Sequence, residues 1–93
     1  MTVGICHLVL YLPESGSLKN KRSVLKSVTV RIRNKFNVSI SEVGDNDLWQ
    51  KAVLGVAIVS NDSRYANRVL SKVVDLVQDD LRVELIDYSL EMI

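Results

Sequence analysis

Residues 52–60, AVLGVAIVS, are apolar at odd and even positions alike. A strand with two apolar faces belongs in the middle of a sheet, or under a cover on both sides. Residues 2–12, TVGICHLVLYL, form a second such run, rich in β-branched and aromatic side chains and closed by Pro13. Two central strands need edge strands and helices to complete them, and the rest of the chain supplies both. Leu18, Leu25, Val28, Ile32 and Phe36 recur at helical spacing, with Ser15 or Ser17 placed to cap the helix. Residues 37–43, NVSISEV, alternate as a short strand, and Gly44-Asp45-Asn46-Asp47 reads as a turn. A second helix starts after Asn61 or Asp62 and runs to about Gln78, with Ala66, Leu70, Val73, Val74 and Val77 on its core face. Residues 81–92 read as a last strand. Its alternation changes phase between Leu85 and Ile86, the signature of a bulge or bend.

The order is β-α-β-β-α-β. Right-handed crossovers turn it into a four-stranded antiparallel sheet, strand order 4-1-3-2, with both helices on one face. The expected fold is therefore a ferredoxin-like α+β sandwich, a single domain over residues 1–93. Cys6, Leu8 and Leu10 should face the helices, leaving Ile5, His7, Val9 and Tyr11 on the open side. For the third strand both choices remain: Val53, Ala57 and Val59 outside, or Leu54, Val56 and Ile58. Either leaves an apolar open face, so a cover is expected there, and a second copy of the chain is the simplest one.

Charge is divided as sharply as hydrophobicity. The net charge is +1, yet residues 1–40 hold seven Lys or Arg against one acid, and residues 41–93 hold five against ten. All seven lie within Leu18–Phe36, which contains no acid. At 100° per residue, Lys19, Arg22, Lys26 and Arg33 fall within an arc of roughly 60°. Lys21 sits near the apolar seam, and Arg31 and Lys35 lie on the opposite flank. Stacked like charges cost a few tenths of a kcal/mol per i,i+4 pair, and a merely solvated helix mixes signs to avoid this. The functional reading is a phosphate-binding surface of Lys19, Lys21, Arg22, Lys26, Arg31 and Arg33. The plainer one is a helix balanced by acids from elsewhere, such as Asp79, Asp80 or Glu84.

Other chemistry is thin. One Cys and one His, adjacent on a strand, point to opposite faces and cannot act as nucleophile and base. Glu42, Asp45, Asn46 and Asp47 offer oxygens but match no complete calcium loop, and turns favour these residues anyway. Trp49, beside a hairpin turn, is either a lid on the sandwich edge or an exposed anchor for a partner, and the lid is expected because Trp is usually well buried. The third strand lacks the aromatics with which sheets of this shape stack bases. No catalytic residue, metal or cofactor is expected. Lone Cys6, the lack of a signal-peptide pattern and the lack of any apolar run near ~20 residues lead us to expect a cytoplasmic protein without a membrane span.

The segments LPESGSLKNKRSVLKS, RIRNKFNVSISEV and DLWQKAVLGVAIVSND, covering roughly residues 12–62, resemble the YlxP-like family of small bacterial proteins of unknown function. SLKNKR at Ser17–Arg22, FNVS at Phe36–Ser39 and DLWQ at Asp47–Gln50 carry the resemblance in combination. It implies a ferredoxin-like fold and a genomic setting among translation and ribosome-assembly genes. It implies no catalytic residues. The expected function is thus a non-enzymatic RNA- or ribosome-associated factor, with ribosomal RNA or a ribosomal particle as partner. The alternative is an oligomeric, homodimeric or protein-binding module that uses Ile5, His7, Val9 and Tyr11 on the open sheet.

Overall fold

In the computed structural model, which describes residues 1–93, the elements follow in the order β1 (Thr2–Tyr11), α1 (Leu18–Lys35), β2 (Ser39–Gly44), β3 (Lys51–Ser60), α2 (Ser63–Gln78) and β4 (Glu84–Met92). One antiparallel sheet of four strands has the order β2-β3-β1-β4, the ferredoxin-like arrangement expected from the element order. The two most apolar strands are the central pair.

The helix starts follow from side-chain chemistry. Ser17 caps α1, its hydroxyl accepting from the Asn20 N–H at 3.0 Å, and Asp62 caps α2 by accepting from the Arg64 N–H at 2.9 Å. Helix α1 stops at Phe36, whose N–H closes the last turn on Ile32. Its final turn carries Arg33 and Lys35, the charge sign that suits a helix C-terminus. Strand β2 begins at Ser39 and β4 at Glu84, both two or three residues later than periodicity suggests. Before β4 those residues are spent on a turn, in which Asp80 accepts the Val83 N–H and gives its own N–H to Val77.

The core lies between the helices and one face of the sheet. Cys6, Leu8, Leu10 and Leu12 from β1 and its exit meet Ala52, Leu54, Val56 and Ile58 from β3. Leu25, Val28 and Ile32 of α1 and the Ala66–Val77 stripe of α2 close it from above. Helix α2 packs over β1, β4 and β3, and α1 sits toward the β2 edge. The approach of α2 is close at Gly4. A methyl group there would stand 2.9 Å from both Ile58 Cγ2 and Leu70 Cδ1, so any other residue would make those side chains shift where the helix settles on β1.

Both edge strands are bulged. On β4, Asp87 pairs with Val9 and Leu85 with Leu10, leaving Ile86 without a partner at the predicted phase change. On β2, Glu42 pairs with Leu54 and Gly44 with Val53, leaving Val43 over Gly55. A side chain at Gly55 would lie 3.0 Å from a Val43 methyl.

The face of β3 that sequence left open is settled by this packing. Val53, Ala57 and Val59 point away from the helices, beside Ile5, His7, Val9 and Tyr11 of β1. Val59 is 65% exposed. Cys6 points inward and is fully buried, and burial pushes its thiol up to about 11. The native thiol should therefore stay unreactive toward a disulfide reagent at pH 8 and react at once in strong denaturant. Rapid labelling of the folded protein would contradict this placement.

Candidate nucleic-acid interface

The six basic residues proposed to meet phosphates separate into three groups once the helix is docked. Lys21 is the first correction: it is completely buried and cannot reach a phosphate. Its ammonium donates to the carbonyls of Asp45 at 2.8 Å, Asn46 at 3.2 Å and Lys51 at 3.1 Å. Glu42 Oε2 stands 2.9 Å away as the counter-charge. An ammonium has three hydrogens, and here all three go to carbonyls. Glu42 Oε2 consequently has no hydrogen-bond donor of its own and is held by charge. Of the side-chain oxygens that sequence offers to a metal, one of Glu42's thus faces a lysine, whereas Asp45 and Asn46 meet that lysine through their backbone carbonyls. The signal was present. Lys21, Leu25, Val28 and Ile32 share one helical seam, so Lys21 had to be buried or to bend away.

Arg31 is the second correction. From the flank opposite the stripe it turns to Asp80 rather than to a phosphate, with Nη1 3.2 Å from Oδ2. Asp80 is buried and also takes Arg82, through the backbone N–H at 3.0 Å, Nε at 3.0 Å and Nη2 at 2.7 Å. This is the balancing by acids that the plainer reading proposed; among the six it applies to Arg31 through Asp80 and to Lys21 through Glu42. Hydrogen bonds from Arg82, with the nearby charges of Arg82 and Arg31, hold the Asp80 carboxyl below the usual carboxylate range against the opposing effect of burial. A carboxyl depressed in the folded state adds stability above its unfolded value, near 3.9, and loses it as pH falls through the folded value. Urea midpoints should therefore hold steady from about pH 7 to 5 and drop below about pH 4. The Asp80→Asn variant should be less stable at neutral pH and show a shallower acid decline. An unchanged acid decline would place the sensitivity elsewhere.

The third group is free. Lys19, Arg22, Lys26 and Arg33 are exposed and make no ion pair. Arg22, Lys26 and Arg33 line one groove of about 240 Å³ between α1 and the β2–β3 edge, with Thr29, Ser41 and Glu42 as its polar wall. Arg33 is aimed by a 2.8 Å hydrogen bond from Nη2 to the Ile40 carbonyl. Glu42, the one acid in the groove, is already answered from beneath by Lys21. From Arg22 to Arg33 the helix rises roughly 16 Å, long enough to meet more than one phosphate.

Trp49 also departs from expectation. It is no lid: it is 56% exposed on the β2–β3 turn, beside Leu48 at 48%. No sequence signal separated the two outcomes, because burial of a turn residue depends on what the neighbouring loops cover. Ile5, His7, Val9 and Tyr11 do share the open sheet face, with His7 opposite Gly55 and Ser89. His7 has no second titratable partner in that register. No helix is long and apolar enough to cross a membrane.

A family described as "Protein of unknown function (DUF503)" matches residues 3–90. Over 79 residues the chain is 40% identical to the protein named Uncharacterized protein YlxP of Bacillus subtilis (strain 168), covering 85% of this chain and 84% of that one. The match runs from β1 into β4, through both the basic helix and the turn that Lys21 anchors. The chain therefore belongs to the DUF503 family, to which its resemblance to YlxP-like proteins already pointed.

Proposed function

We propose that this protein is a non-enzymatic RNA-binding factor that grips the phosphate backbone in the groove between α1 and β2. Ribosomal RNA or a ribosomal particle is the partner, in keeping with the gene setting that the family resemblance implies. One observation carries the reading. Four cations stand exposed on one helix face without an acid partner, and three of them line a single groove. Isolated proteins gain nothing from such crowding; a polyanion removes its cost. The open sheet supports this division of labour, since β3 has no aromatic for base stacking and β1 has only His7 and Tyr11.

Four phosphate contacts contribute about −0.7 to −0.9 each to the slope of log affinity against log salt, or about −3 together. Titration of ribosomal RNA fragments or particles at several salt concentrations should return that slope. A flat dependence, or no association at low salt, would defeat the reading.

The apolar open face supports a second reading, self-association. Ten-residue strands in a four-stranded sheet offer roughly 500–600 Å² per copy, or about 1,100 Å² in total, the lower end of specific interfaces. Light scattering at tens of micromolar should give about twice 10.4 kDa, unchanged by salt. A monomer throughout that range would exclude the dimer.

A further inference from the structure

Residues 45–50, the β2–β3 turn, are all exposed. No core contact holds this loop, yet both of its ends are anchored. The Lys21 ammonium binds the carbonyls of Asp45 and Asn46 on one side of Trp49 and of Lys51 on the other. The Leu48 N–H returns to the Asp45 carbonyl at 3.0 Å, with Asp45 in the left-handed region at φ 58°. Gln50 is tied to the β1–α1 turn twice. Its carbonyl accepts the Leu12 N–H at 2.8 Å, and its side-chain amide donates to the Pro13 carbonyl at 3.2 Å. Burying a lysine is an expensive way to shape a loop. What it shapes is a fixed backbone platform for an exposed tryptophan, and an aromatic carried on a preordered backbone loses less entropy on binding.

The platform adjoins the groove. Glu42 lines the groove with Arg22 and touches Lys21, and Lys21 holds the turn. Charge then decides what each part can meet. The groove carries three cations, whereas the turn carries Asp45 and Asp47 and no base. Carboxylates repel a phosphate backbone, and they accept hydrogen bonds from the amino and imino groups of bases. A strand held by its phosphates in the groove can reach the turn only with a base turned out of its helix.

We propose that Trp49 is a base-stacking residue: an unpaired nucleobase beside the backbone held in the groove lies on its indole, with Asp45 or Asp47 accepting from the base's N–H groups. The inference rests on the groove reading above and narrows its target from RNA at large to a helix interrupted by an unpaired nucleotide.

Trp49 is the single tryptophan of the chain, so its emission reports the contact directly. The full chain is titrated with a short RNA duplex and with the same duplex carrying one bulged guanosine. The expected result is quenching of Trp49 and tighter binding for the bulged RNA only. Trp49→Ala, a change at an exposed position, should remove that preference and weaken bulged-RNA binding roughly ten- to hundredfold. Its binding to the plain duplex should not change. If both RNAs bind alike, or the preference survives Trp49→Ala, the inference is overturned and the turn is left for a protein partner. The control is Arg22→Glu with Lys26→Glu. If that variant loses both RNAs while Trp49→Ala changes nothing, the groove stands and only the stacking falls. If it binds as the parent does while Trp49→Ala fails, the groove falls and this placement of the base falls with it, although Trp49 still contacts the RNA.

Discussion

Lys21→Met is expected to destabilise the protein by about 3 kcal/mol or more, within the ~3–5 kcal/mol range for breaking a buried ion pair. Methionine roughly preserves volume, so the loss is not a cavity. It comes from the groups left behind. The Glu42 carboxylate loses its counter-charge, and the carbonyls of Asp45, Asn46 and Lys51 lose their donor. Glu42 keeps 20% side-chain exposure and can turn partly to water, which places the effect toward the lower end. A domain of this size is stable by roughly 5–10 kcal/mol in all. The change should therefore lower the melting temperature by about 12 °C or more. Urea denaturation of Lys21→Met beside Lys19→Met provides the check. The two substitutions are chemically identical and lie two residues apart, but Lys19 is exposed and should cost no more than about 0.5 kcal/mol. Equal losses from the two variants would refute the buried anchor.

Arg22→Glu combined with Lys26→Glu should nearly abolish RNA binding while leaving the fold intact. Two of the four contacts vanish, so the salt slope should fall from about −3 to about −1.5. At 50 mM salt, a lost slope of ~1.5 over ~1.3 decades corresponds to about a hundredfold in affinity, before the added repulsion of two carboxylates. Both side chains are exposed and unpaired, so stability should change by no more than about 0.5 kcal/mol. Filter binding across a salt series and a urea curve measure the two quantities on one preparation. Retained affinity with an unchanged slope would move the contact off α1 altogether.

These two experiments separate residues that sequence grouped together. On a helical wheel Lys21 falls near the apolar seam and Arg31 on the flank opposite the stripe, but neither position names a partner. Lys21 is committed by residues 24 to 30 positions downstream, and Arg31 by Asp80, 49 positions away. Nothing within one helix records such partners. Lys19, Arg22, Lys26 and Arg33 were legible as a set because their shared face follows from the 100° step of the helix alone.

Local periodicity by itself determined the element order, the sheet order that right-handed connections allow, the inward face of β1 and the phase change at Ile86, and it narrowed each helix cap to two residues. Each of these depends on residues a few positions apart, where spacing is geometry. Only the tertiary structure decided which face of β3 is buried, that Lys21 lies inside, that Arg31 belongs to Asp80 and that Trp49 stands in solvent. On β3 both faces are apolar, so alternation carries no direction there, and the register with β1 makes the choice by setting Val56 opposite Cys6 and Leu54 opposite Leu8. For Lys21 and Trp49 the outcome turns on the β2–β3 hairpin meeting α1 and the β1–α1 turn. Burial at such a meeting is a property of distant surfaces brought together, which no window along the chain contains.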